Sequence, residues 1–243
     1  MRPVQRGASP QDLDYDDYRR ALPLLIGRFG PYCSYCERRI NTQLAVEHIQ
    51  PKATHQHPDL IGRWDNFLLA CINCNSTKSD KDVALAGIFL PDRDNTFAAF
   101  IYPMDGTVLP NMLSAKQQVI AARTLALTGL EKRMSEVHDE NGHRIAIDRV
   151  SQRLQAWGKA QAASDLLHRT PDNEELRVSV AMLAEAAGFF SIWMTVFAND
   201  SDMCKRLIEA FPGTSESGCF DPTTTVPISP APNPDGLPHG GKI

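Results

Sequence analysis

Two Cys-x-x-Cys pairs constrain this chain more than any other feature. Cys33 and Cys36 stand in "CSYCERRINTQLAVEHIQPK"; Cys71 and Cys74 stand in "WDNFLLACINCNSTKSD", with 34 residues between Cys36 and Cys71. Zinc as a structural ion takes four soft ligands in a tetrahedron, and one such turn supplies two of them. In a reducing compartment these pairs signal metal or redox chemistry rather than disulfides. A single pair fits a thioredoxin-like centre; two favour a four-cysteine zinc site. The spacer exceeds that of compact zinc ribbons, so it must hold structure of its own. A knuckle, a hairpin and a helix carrying the second pair in its first turn would account for it. Buried, hydrophobe-like cysteines are the plainer alternative, and a zinc that only staples a binding module stays open at this point. Cys204 and Cys219 lack such spacing and read as free thiols.

The residues beside the cysteines carry more chemistry. Glu47 and His48 are adjacent in "QLAVEHI" (Gln43–Ile49), whose period-two alternation and β-branched residues predict a strand ending before Pro51. Adjacent strand residues face opposite ways, so acid and imidazole would divide their work. Asn66 precedes the second cysteine pair, Asn75 follows Cys74 directly, and a helix is expected to start near Cys71 or Cys74. Lys78, one helical turn after Asn75, and Lys52, at the strand end, are candidate phosphate contacts. Each residue alone has a bland reading: a solvated strand edge, a helix cap, a surface charge. His55 and His57 read as a surface loop.

In order and spacing, "CSYCE…VEHIQPK…WDNFLLACINCNSTK" resembles the HNH endonuclease motif, which sits on a treble-clef or ββα-metal fold with flanking zinc cysteines. The resemblance covers about fifty residues. It implies that Cys33, Cys36, Cys71 and Cys74 hold a structural Zn²⁺. It also implies that Glu47 and Asn75 oxygens hold a catalytic metal, that His48 is the general base, and that Asn66 secures the loop and orients His48. A carboxylate and an amide oxygen suit a hard ion, Mg²⁺ or Mn²⁺, and leave room for water and phosphate. The implied reaction is phosphodiester hydrolysis giving 5′-phosphate and 3′-hydroxyl ends.

The fold class expected is α+β: a zinc-stapled treble-clef module over residues 31–82 and a mainly α-helical accessory region. An N-terminal helical arm (1–30) precedes the module, with an acidic-fronted helix interrupted near Pro23 and closed by Gly27 or Gly30. Residues 83–213 hold a hairpin, with Asp105-Gly106 as its tight turn, and then helices. Ser114 with Gln117 predicts a capping box, a helix runs from about Asp148 to His168, and Pro171 is placed at the first position of the next. The last helix stops at Pro212-Gly213. "FFSIWMTVF" reads as core, with any exposed part a docking patch. Six prolines in the final 22 residues exclude regular structure from the tail (214–243), which is expected to be mobile or extended on a partner.

Net charge −4 argues against bulk electrostatic coating of nucleic acid. From Arg28 to Lys81, however, seven Lys/Arg face five acids, so the motif region is mildly basic. No secretion signal or membrane span is legible, and the chain reads as cytoplasmic. The opening "MRPVQRG", "PDRDNTFAAFIYP", "LTGL" and the "DRV…W" helix make the longer chain similar to the HNH subunit of Septu-type and retron-linked antiphage systems. That likeness implies a DNA-cutting effector working beside an ABC/SMC-like ATPase. The competing class is a non-catalytic zinc-stapled adaptor that binds such an ATPase or nucleic acid.

Overall fold

The computed structural model describes residues 1–52, 57–132 and 148–243. A zinc-knuckle-like turn, Cys33 to Arg38, opens the central module. It is closed by backbone bonds from Glu37 N to Cys33 O (2.9 Å) and from Cys33 N to Arg38 O (3.0 Å). Strand β1 (Ala45–His48) then pairs antiparallel with β2 (Phe67–Ala70), in a register that sets Glu47 opposite Leu68 and His48 opposite Phe67. Every residue of β2 is buried, which explains its unbroken apolar run. Helix α2 (Ile72–Lys78) follows with Cys71 as its N-cap. The knuckle is sewn to β2 through Ser34: its N–H donates to Leu69 O (2.8 Å), and its hydroxyl accepts from Leu69 N (3.2 Å). Both cysteine pairs are thereby fixed to one small sheet.

The N-terminal segment is helical only in part. A 3₁₀ turn (Tyr18–Ala21) leads into α1 (Leu22–Phe29), where Pro23 occupies the first turn and so initiates the helix rather than interrupting it. Gly30 ends it at φ 70°. Residues 1–7 are no free arm: Met1, Val4 and Arg6 are buried, and Arg6 pairs with Asp92.

The hairpin β3 (Phe100–Ile101) and β4 (Leu109–Pro110), preceded by the single turn α3 (Thr96–Ala99), lacks the tight two-residue turn expected. A longer loop joins its strands, and Gly106 sits in it at φ 76°. Helix α4 (Ala115–Thr128) has the Ser114/Gln117 capping box. Helix α5 (Arg149–Arg169) is capped by Asp148. Helix α6 (Glu174–Ala187) begins three residues after Pro171, because the Asn173 side chain accepts from Leu176 N and two acids fill the first turn. Helices α7 (Phe190–Val196) and α8 (Ser201–Ala210) complete the set.

Two apolar cores result. One joins the module with α1, the hairpin and α4; the other lies among α5–α8 and takes in Phe220 and Ala231 from the tail. Phe189, Phe190, Ile192, Trp193, Met194 and Phe197 are all buried, so that run is core and offers no docking patch. The accessory helices meet the knuckle at Gly188, where a Cβ would come within 2.7 Å of Glu37 O and Arg39 N. The tail is irregular, but it packs on the body of the chain. Asn95 Nδ2 donates to Cys219 O (2.7 Å) and Ile228 O (2.9 Å), and Ile243 is buried. No described helix is long and apolar enough to cross a membrane.

Candidate functional site

The four sulfurs of Cys33, Cys36, Cys71 and Cys74 lie within 4.8 Å of one another, and all four residues are buried. Tetrahedral zinc with bonds of about 2.3 Å requires sulfur–sulfur edges of about 3.8 Å. Cys36 Sγ and Cys71 Sγ stand 3.8 Å apart. The donor set therefore suits a thiophilic ion, with at least one edge already at the tetrahedral length. Hydrogen bonds from Cys33 and Cys36 pull the Cys71 pKa down, while burial pushes that of Cys33 well up. Cys204 and Cys219 stay outside this cluster and are buried thiols, with pKa values raised by burial to about 11.

Beside the cluster opens a cleft of ≈ 820 Å³, whose wall includes Glu47, His48, Lys52, Asn75, Lys78 and Tyr18. Five of the sequence-predicted residues thus share one cavity. His48 is 6% exposed, and its Nε2 lies 3.0 Å from the carbonyl oxygen of Ile61. A carbonyl only accepts, so the neutral ring carries its proton on Nε2 and keeps the Nδ1 lone pair. Burial lowers the His48 pKa, with Lys52 and Lys78 adding to the effect against the Ile61 bond. Edge contacts from Tyr18 (4.7 Å) and Phe67 (5.2 Å) fix the ring plane.

Glu47 is buried, and its Oε1 lies 3.0 Å from Lys78 Nζ and 3.4 Å from the Tyr35 hydroxyl. Burial raises the Glu47 pKa, and Lys78 opposes the rise. Oε2 has no hydrogen-bond partner among the described residues, and Glu47 is one of the residues that line the cleft. The half-buried Asn75 amide likewise makes no side-chain bond among the described residues. Two hard oxygen donors are thus left over on one wall, a set that suits a hard divalent cation.

Asn66 is buried outside the cleft. Its Oδ1 accepts from Gln50 N (2.7 Å), and its Nδ2 donates to Gln50 O (3.1 Å) and Leu60 O (3.0 Å). It clamps the segment that presents the neighbouring Ile61 carbonyl to His48. Lys78 departs from its expected place as a phosphate contact. The residue is 1% exposed and its side chain turns inward, donating to the His48 carbonyl oxygen at 2.7 Å besides pairing with Glu47. Lys52 remains exposed at the cleft mouth, its ammonium 4.3 Å from the Tyr18 ring centre and bonded to the Tyr18 hydroxyl. His57 pairs with Asp82 (3.1 Å), and His55 lies outside the described residues.

Three participants had no signal in the linear motif. Ile61 acts through its backbone. Tyr18 arrives from the N-terminal segment. Arg149 brings Nη1 within 3.1 Å of Cys74 Sγ.

Residues 33–81 match the model of the HNH endonuclease family, and the stretch is an HNH-type module held by a cysteine cluster. The chain is also similar to the Septu protein PtuB of Bacillus thuringiensis, 35% identical over 80 residues. That match covers 30% of this chain and 30% of the relative.

Proposed function

We propose that this chain is a metal-dependent endonuclease that hydrolyses phosphodiester bonds in DNA. The observation that carries the reading is the commitment of His48 Nε2 to the Ile61 carbonyl, inside a cleft shared with Glu47 and Asn75. In this reading His48 Nδ1 takes a proton from the water that attacks phosphorus, and burial keeps the imidazole neutral for the task. Glu47 Oε2 and the Asn75 amide oxygen would hold Mg²⁺ or Mn²⁺, which supplies charge neutralisation at the phosphate and the leaving 3′-oxygen. Lys78 and Tyr35 hold the other Glu47 oxygen, so the carboxylate is aimed before any ligand arrives. Zn²⁺ on the four cysteines locks knuckle, β2 and α2 together, and with them the register of Cys74 and Asn75. Asn66 positions the loop behind His48, and Lys52 meets a phosphate at the cleft mouth.

The likeness to PtuB supports a place in antiphage defence as the effector nuclease, beside an ABC/SMC-like ATPase. The net charge of −4 supports a chain that takes part of its DNA affinity from an assembly. One observation favours the second reading, a non-catalytic zinc-stapled adaptor: Glu47 is already neutralised by Lys78.

Plasmid nicking in Mg²⁺ separates the two. His48→Ala is expected to abolish nicking while zinc content and melting temperature stay near those of the parent; Cys71→Ser is expected to lose zinc and fold together. Full activity in His48→Ala, or no cutting by the parent chain either alone or with its ATPase, overturns the nuclease reading.

A further inference from the structure

Arg149 opens α5, a helix of the accessory region, yet its guanidinium ends beside the metal cluster. Nη1 donates to Cys74 Sγ at 3.1 Å and to Thr128 O at 2.9 Å; Nη2 donates to Gly129 O at 2.5 Å. The residue is buried, and no carboxylate among the described residues forms an ion pair with it. Gly129 closes α4 at φ 64°, and a Cβ there would come 2.9 Å from Arg149 Nη2, so glycine leaves the approach open.

If Cys74 were a neutral thiol, this buried guanidinium would lack a counter-charge and would be costly. Four thiolates on a divalent ion carry two net negative charges, which is the complement required. Two further guanidiniums gather at the same cluster. Arg153, one turn along α5, is buried, shares a small enclosed cavity with Cys36, and has a buried Nη1 without a partner. Arg38, in the knuckle, has a buried Nε without a partner.

We propose that Arg149 is an outer-sphere positioning residue of the metal centre. It donates to the Cys74 thiolate, balances the charge of the tetrathiolate together with Arg38 and Arg153, and seats α5 on the HNH-type module. Metal loading and docking of the accessory helix are then a single event, transmitted through the residue next to Asn75. The inference rests on the zinc reading of the four cysteines but not on the nuclease reading.

The test uses the full chain with cobalt in place of zinc. Sulfur-to-cobalt charge-transfer absorption reports electron density on the thiolates, and a donated hydrogen bond withdraws density and moves the band to higher energy. Arg149→Met is expected to shift the band to lower energy and to lose metal to a chelator about 10- to 100-fold more readily. Arg149→Lys should recover part of both effects. If the Met variant does not fold, Arg149→Gln, a neutral donor of similar reach, should show an intermediate shift. A merely structural role would alter metal retention but leave the band where it is. A band at the parent energy in both the Met and Gln variants, or in Gln alone where Met does not fold, overturns the proposal. A parent chain that binds neither zinc nor cobalt overturns it together with the zinc reading.

Discussion

Lys78 and Glu47 form a buried ion pair at 3.0 Å, and the same ammonium donates to the carbonyl oxygen of His48. One side chain from α2 therefore fixes both neighbours on β1, the acid through its carboxylate and the imidazole through its backbone. A lysine in this place is committed to its two β1 neighbours rather than held out toward solvent.

Lys78→Met follows from that relationship. It strands the Glu47 carboxylate in a buried site, a change worth about 3–5 kcal/mol of destabilisation where a buried pair loses one partner. Urea denaturation should show that loss. In cleavage kinetics kcat should fall while KM for the nucleic acid changes little, the reverse of what loss of a phosphate contact does.

Lys52→Ala separates the other lysine. Its ammonium is exposed at the cleft mouth, so it can meet a phosphate directly. In a His48→Ala background, expected to bind without cutting, the log–log salt dependence of DNA binding should flatten by about 1. An unchanged slope would assign Lys52 to its contact with Tyr18 alone.

Asn66→Ala removes three hydrogen bonds across the loop that carries the Ile61 carbonyl. Buried backbone groups left unpaired cost about 1–3 kcal/mol. Nicking should slow because His48 loses its tautomer clamp, while zinc stays bound in elemental analysis.

Acid stability reports on a different cluster. Asp92 is buried between Arg93 and Arg6, whose other donors reach the carbonyl oxygens of Asp65 and Trp64, next to Asn66. Burial opposes ionisation, but Arg93 and Arg6 overcome it and hold the Asp92 pKa at about 2. A carboxylate depressed in this way stabilises the fold above its unfolded pKa of about 3.9 and loses that contribution as pH falls through the folded value. Asp92→Asn should therefore be much less stable than the parent at neutral pH, with the gap narrowing between about pH 4 and pH 2 in melting experiments.

The sequence was most legible where spacing itself carries chemistry. Two Cys-x-x-Cys pairs flank a β-branched alternation, and these became the knuckle, β1 and the start of α2. The Ser114/Gln117 box is local and was equally readable. Long-range choices left no linear trace. A lysine one turn after Asn75 can point outward or inward, and only the burial of Glu47 on β1 decides it. Ile61 acts through a backbone oxygen, for which no residue type is diagnostic. Pro171 suits a first helical position, but Asn173 with two following acids was the stronger start signal. The proline-rich tail lacks regular structure as its composition demands, but composition could not say that Asn95 and the α5–α8 core would hold it.

In the proposed function a sulfur-bound ion frames a second, separate site for a hard cation. Manganese titration of the zinc-loaded chain, followed by electron paramagnetic resonance, measures it directly. One Mn²⁺ site is expected, disappearing in the Glu47→Gln, Asn75→Ala double variant while one zinc per chain is retained. Manganese binding unchanged in that variant, or zinc lost along with it, would contradict the account.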